Sequence, residues 1–245
     1  MSEAAPTWVA GVDGCKAGWV AVLRNLPDAK EAEVAVFGSF SEVLDYAPEL
    51  SVIAVDMPIG LPDRIGPKGR GAEKAARRHL GDRQSSVFSI PSRFAVYAED
   101  YGEACRIALN TSEPPKKVSK QAFHLFPKIR DIDGLMTPEL EDRVYEVHPE
   151  LAFWRLNGEQ EMNLPKKVKN RANAPGLDQR QDLLISHGYD RDFLDQVRPR
   201  GVGRDDLLDA AANCLIAERI FNGLAEPFPQ EFKRDSKGLR MAIWA

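Results

Sequence analysis

The chain has 245 residues, 43% hydrophobic and 29% charged, with 33 Lys and Arg against 37 Asp and Glu and a formal net charge of −4. This apolar fraction excludes a wholly disordered chain, and three cysteines are too few for a disulfide scaffold. The mildly acidic total argues against a general nucleic-acid binder. Cys15, Cys105 and Cys214 are scattered, with no C-x-x-C pair, which indicates a reducing, cytoplasmic compartment. No apolar run reaches the ~18 residues of a membrane span. The opening MSEAAPTWVAGV has neither the basic nor the apolar part of a secretory signal.

Trp8 to Gly14 (WVAGVDG) and Gly18 to Arg24 (GWVAVLR) are short apolar runs bracketed by glycines, the pattern of a hairpin. Glu33 to Phe40 reads as a third strand. Ser39 and Glu42 have capping-box spacing and predict a helix from Phe40 to Ala47. Val52 to Met57 is a near-continuous apolar run, as in a strand buried on both faces. Gly71 to Leu80 has helical composition. A mostly helical region follows up to Arg143, with loop signals at Pro91, Pro114-Pro115 and Pro127. Arg143 to Val147 reads as a fifth strand, stopped by Pro149. Asp206 to Phe221 is the clearest helix, with Asp205 expected as its N-cap and Gly223 as its stop. The tail, ending MAIWA, predicts an edge strand. The order is mixed α/β, read as one domain over 1–245 with a helical, basic insertion over 61–142 between strands 4 and 5.

Charge is segregated along the chain. From Arg64 to Arg130 there are 14 Lys and Arg against 6 Asp and Glu, a local net of +8, so the remainder carries −12. Solvated helix faces produce such a pattern, and so does a site for a polyanion.

Carboxylates stand where core strands ordinarily have none. Asp13, Asp56 and Glu146 each end an apolar run, with Gly14, Pro58 and Pro149 close behind. An unpaired buried carboxylate costs several kcal/mol, so each needs a hydrogen bond, an ion partner or a bound cation. A strand-end Asp often caps the next loop, but three on separate strands suggest a site. Asp206 and Asp209 put two more carboxylates on one face of the last helix, although acids also favour a helix start for electrostatic reasons. A cup of Asp13, Asp56, Glu146 and an Asp of that helix, with no Cys/His pairing, has the hard oxygen ligands of Mg²⁺ or Mn²⁺. Two such ions ~3.5–4 Å apart suit an in-line phosphoryl displacement.

Six segments in order, GVDGCKAGW (11–19), AVDMPIGLP (54–62), RHLGDRQSSVFSIPSR (78–93), PKIRDID (127–133), YEVHPEL (145–151) and DDLLDA (205–210), together resemble the domain-of-unknown-function family 429. That family is described as predicted nucleases of ribonuclease H-like fold. The resemblance spans most of the chain, from Gly11 to the C-terminal helix. It implies a mixed five-stranded sheet flanked by helices, its first three strands antiparallel, with acids on strands 1 and 4 and on the last helix. Asp13 and Asp56 match the family's strand acids, and Asp206 and Asp209 its terminal D-x-x-D pattern. Glu146 lies in the EVHPE segment.

His148, two residues beyond Glu146, is a candidate to orient water or contact phosphate, or else a structural histidine. Lys16, Arg78, Arg83, Arg93, Lys166 and Lys167 are candidate phosphate contacts, with solvated or acid-paired side chains as the alternative. The expected activity is a metal-dependent phosphodiester hydrolase acting on nucleic acid, with no membrane partner and with a homodimer as one arrangement. A nucleotide-dependent phosphotransferase of actin-like type and a non-catalytic nucleic-acid-binding module are the competing readings.

Overall fold

The apolar run predicted as the first strand becomes the centre of the sheet in the computed structural model, which describes residues 7–26, 28–67, 69–169 and 171–245. The opening residues Met1 to Pro6, where a secretory signal was judged lacking, lie outside the described residues. Strand β1 (Trp8–Cys15) turns at Lys16-Ala17 into antiparallel β2 (Gly18–Asn25), and β3 (Asp28–Phe37) pairs antiparallel with β2. Gly18 has φ +127°, a conformation that side chains other than hydrogen resist. A short helix, α1 (Phe40–Leu44), leads to β4 (Leu50–Val55), parallel to β1. Helices α2 (Gly71–Arg77), α3 (Arg93–Val96), α4 (Tyr101–Thr111) and α5 (Lys120–Leu135) precede β5 (Val144–Glu146), parallel to β4. The strand order β3-β2-β1-β4-β5, flanked by helices, is the mixed α/β sheet expected and is consistent with a ribonuclease H-like fold.

Helix α6 (Pro149–Leu156) follows β5, and a two-residue hairpin, β6 (Lys167–Val168) and β7 (Arg171–Ala172), leads to α7 (Ala174–Ser186) and α8 (Arg191–Asp195). Helix α9 (Arg204–Phe221) then crosses β1, β2 and β4, with α6 and α7 packed on it. Every residue from Leu207 to Ala217 is buried. Its large apolar members, such as Leu207 and Ile216, each contribute about 1.5–3 kcal/mol. This helix covers one face of the sheet together with Val9, Val52 and Ala54. The other face, carrying Val12, Ile53, Val55 and Val144, is covered by α1 and α5. Among the described residues no helix is long and apolar enough to cross a membrane.

Several expectations shift. Helix α1 ends at Leu44, and Ser39 at its N-cap makes no side-chain capping bond; Glu42 instead accepts the Gly38 N–H at 3.0 Å. Pro127, read as a loop signal, lies inside α5. Its missing N–H and its ring cost about 3 kcal/mol. Complete burial of Phe126, Ile129 and Ile132 on one stripe offsets that cost. The tail strand β9 (Ile243–Trp244) pairs with β8 (Pro227–Phe228), not with the edge of the main sheet.

Candidate functional site

The site begins with a glycine. A Cβ on Gly11 would lie 2.0 Å from the Cys214 nitrogen and 2.2 Å from the Ala210 carbonyl, so only glycine lets α9 lie this close to β1. Asn213 fastens the contact by donating to the Val12 carbonyl at 3.1 Å. That approach sets the first turns of α9 against the strand ends. Asp13 ends β1, and the Asp56 N–H donates to the Val12 carbonyl at 3.0 Å, carrying the β1–β4 ladder one step past Val55. Counting along each strand by two puts Asp13 with Val9, and Asp56 with Val52 and Ala54, on the face that α9 covers. Asp209, one turn into α9 and buried, completes a group of three carboxylates.

Glu146 lines the same cavity as Asp13 and Asp56, and its charge reaches Asp56, but it differs in its sheet face and its partner. It pairs in register with Val55, so with Val144 it points to the opposite face. There Arg70 grips both its oxygens, Nη2 to Oε1 at 2.5 Å and Nη1 to Oε2 at 3.0 Å, while the Ile59 N–H donates to Oε2 at 2.7 Å. Arg70 also binds Glu73 at 2.6 Å and the Ile59 and Gly60 carbonyls. Glu146, expected as a cation ligand, thus already has a guanidinium partner and ties down the loop after β4. Burial pushes its carboxyl up to about 7 even though Arg70 opposes the shift.

The start of α9 also differs from expectation. Gly203, not Asp205, is its N-cap, and Asp206 reaches back to accept the Gly203 N–H at 2.8 Å. One Asp206 oxygen is thus spent on capping. Asp205 pairs with Lys167 at 2.7 Å.

The three carboxylates that do converge are poorly compensated. Burial, then the charges of Asp56, Asp209 and Asp206, hold the Asp13 carboxyl well above its usual range, and Lys166 opposes this only in part. Asp56 is pushed up to about 8 by burial and by Asp209, and Asp209 to about 6 by burial against the pull of Lys166. Asp13 Oδ1 accepts the neighbouring Gly14 N–H at 2.7 Å. Asp209 Oδ2 bonds the Lys166 ammonium, and Asp209 Oδ1 is buried with no hydrogen-bond partner. Lys166 is also 3.7 Å from Glu150, a carboxylate that Arg180 holds through both oxygens.

The cations expected to meet substrate separate into groups. Lys166 and Lys167 are bound to acids of α9. Arg93 belongs to a network with Asp133 at 3.0 Å and Asp235 at 2.5 Å, which Lys237 and Tyr97 join through Asp133. Of the two readings of Arg93, phosphate contact or acid-paired side chain, the geometry matches the second, because those two acids engage its guanidinium. Lys16 and Arg78 are exposed, the first in the hairpin turn and the second at the end of α2. Arg83 is half-buried, with its Nε lacking a partner. His148 is the N-cap residue of α6; burial first, and then the charge of Lys166, pulls its imidazole down to about 4, so it is neutral.

Asp13, Asp56 and His148 line a cavity of about 210 Å³ with Glu146, His124 and Lys128. The last two are four residues apart on α5 and share a face. Reading Pro127 as a loop conceals that relation in the sequence. Lys128 lies against Gly14, where a Cβ would be 2.7 Å from its Cδ. Its ammonium donates to the Gly18 carbonyl and sits 4.5 Å from the Trp19 ring centre. Burial lowers its pKa, against the pull of Cys15 and Asp13.

Among the described residues no three His, Cys, Asp or Glu side chains stand close enough to hold an ion. The donor chemistry of Asp13, Asp56 and Asp209 still fits a hard divalent cation: three buried or half-buried carboxylates, mutual repulsion and an orphaned oxygen. Over residues 11–234 the chain matches the family described as "Protein of unknown function (DUF429)", and it belongs to that family. No curated protein and no solved structure matched it.

Proposed function

We propose that this chain is a phosphodiester hydrolase that uses Mg²⁺ or Mn²⁺ held by Asp13, Asp56 and Asp209 to cleave nucleic acid. The observation that carries the reading is the unbalanced charge of those three carboxylates, two of which, Asp13 and Asp56, line one cavity, with Lys166 as the cation that opposes it at all three. Such a group is stable at neutral pH only by keeping protons or by gaining positive charge. When bound, the cation supplies Lewis acidity toward a phosphoryl oxygen. Asp13 and Asp56, at the ends of adjacent parallel strands, are the rigid pair. Asp209, now bonded to Lys166, would be the third residue to hold the cation, and Lys166 would keep Glu150 as its partner. Lys128, beside Asp13, holds positive charge where a phosphate would enter the cavity. In the reaction a water oxygen forms a bond to phosphorus, the P–O bond to the departing sugar oxygen breaks, and the water proton ends on that oxygen. Free, buried Cys15, Cys105 and Cys214 support a cytoplasmic setting for this chemistry.

The test is a cleavage screen over single-stranded, duplex, hybrid and junction DNA and RNA with Mg²⁺, Mn²⁺ or EDTA, run beside Asp13→Asn. Cation-dependent cleavage lost in the variant is the expected result. Equal cleavage by both proteins overturns the assignment of the acids. Cation binding without cleavage of any substrate favours a non-catalytic binding module.

A further inference from the structure

A second, larger concavity of about 870 Å³ adjoins the acid cavity. Val87, Phe88 and Ile90 line both, so the two concavities meet at this segment, where Phe88 is half-buried. The segment that builds this wall also divides its polar residues: Ser86 lines the acid cavity, and Gln84 and Ser85 line the groove. Lys116 and Lys117, both exposed, also line the groove. Neither ammonium has an ion-pair partner among the described residues, unlike Arg70, Arg93, Lys166, Arg180 and Lys237.

The two lysines are also held in place. Ser112 Oγ accepts the Lys116 N–H at 2.8 Å, and the Ile65–Ser112 bridge ties this loop to the segment after β4. Pro114-Pro115 restricts the backbone just before them. Unpaired cations and an aromatic side chain lining one groove meet the two needs of an extended polyanion with flat bases. A duplex presents its phosphates on a convex surface and cannot lay its bases against a ring inside a groove.

We propose that this groove binds single-stranded nucleic acid, with Lys116 and Lys117 on its phosphates, a base against Phe88 and the strand leading to the acid cavity. The inference rests on the proposed hydrolase reading for what happens at Asp13, but binding in the groove is measurable without it. The experiment is fluorescence anisotropy with labelled single-stranded DNA and RNA and a duplex of equal length, in EDTA, over a range of salt. Asp13→Asn serves as the background, so that no cleavage intervenes.

The single strands should bind more tightly than the duplex. Lys116→Gln with Lys117→Gln should weaken them about tenfold at low salt and flatten the salt dependence by about two counterions, with an unchanged melting temperature. Phe88→Ala should weaken binding about tenfold and leave the salt slope intact. Single-strand affinity unaffected by the lysine pair, or a preference for duplex, overturns the groove. Lysine-dependent binding in a protein that cleaves nothing keeps the groove and removes the hydrolase. Cleavage that survives the lysine pair with unchanged affinity does the reverse.

Discussion

Two sets of buried or half-buried carboxylates, each with members on the wall of one cavity, differ in one respect. Glu146 and Glu73, on the side of α2 and the loop after β4, share the buried guanidinium of Arg70. Asp13, Asp56 and Asp209, on the side of α9, have the Lys166 ammonium, which is bound to Asp209 and divided with Glu150, and the Lys128 ammonium near Asp13, which donates to a backbone carbonyl. The first set has a cation built into the fold. The second is short of positive charge, which is the condition under which a fold binds an external cation. Burial alone does not separate them, since Glu146 is 4% exposed and Asp13 8%. The partner decides.

Opposite responses to neutralisation follow from that contrast. The largest effect belongs to Asp13→Asn. Cleavage should fall by more than the ~10–100-fold that loss of an outer partner of a metal ligand costs. Its metal-free melting temperature at pH 8 should rise, because a repelling charge is gone; a melting scan in EDTA checks this. Arg70→Met should act the other way. It leaves Glu146 and Glu73 buried without their cation, at a cost of about 3–5 kcal/mol in urea unfolding. Glu146→Gln, which can still accept the Ile59 N–H, should cost less.

The pH dependence sharpens the comparison. Asp56 and Asp209 titrate near 8 and 6 in the folded chain against a usual 3.8, so between those limits the folded state binds more protons than the unfolded one. Metal-free stability should therefore decline as pH rises from about 4 to about 8. Asp56→Asn should flatten the decline, and Mg²⁺ or Mn²⁺ should raise the melting temperature more at pH 8 than at pH 6. A flat profile would place compensating charge beside these acids. The smallest effect is expected for Lys16→Ala, an exposed turn residue whose loss should change stability by no more than about 0.5 kcal/mol.

Much of this architecture was legible in the residues. The GVDG and VIAVDM runs announced strands that end in acids, and DDLLDAAANCLIAERIF announced the helix that meets them. Period two and period 3.6 are local properties, so they survive in one dimension. The errors share a cause. Glu146 was grouped with Asp13 and Asp56 because all three end apolar strands, but its face depends on the β4–β5 register, which is a relation between strands. For Arg93 and Lys167 the choice between phosphate contact and acid pairing stayed open, because their acids, Asp235 and Asp205, lie 142 and 38 positions away. Lys128 was passed over because Pro127 promised a loop, and the buried stripe of α5 overrode it.

The sequence by itself determined the order of strands and helices and the presence of carboxylates at the ends of apolar strands and at the start of the last helix. The tertiary structure decided which acids are already neutralised and which are not. Charge compensation depends on distances of a few ångströms between residues far apart in the chain, and local sequence pattern carries no measure of those distances.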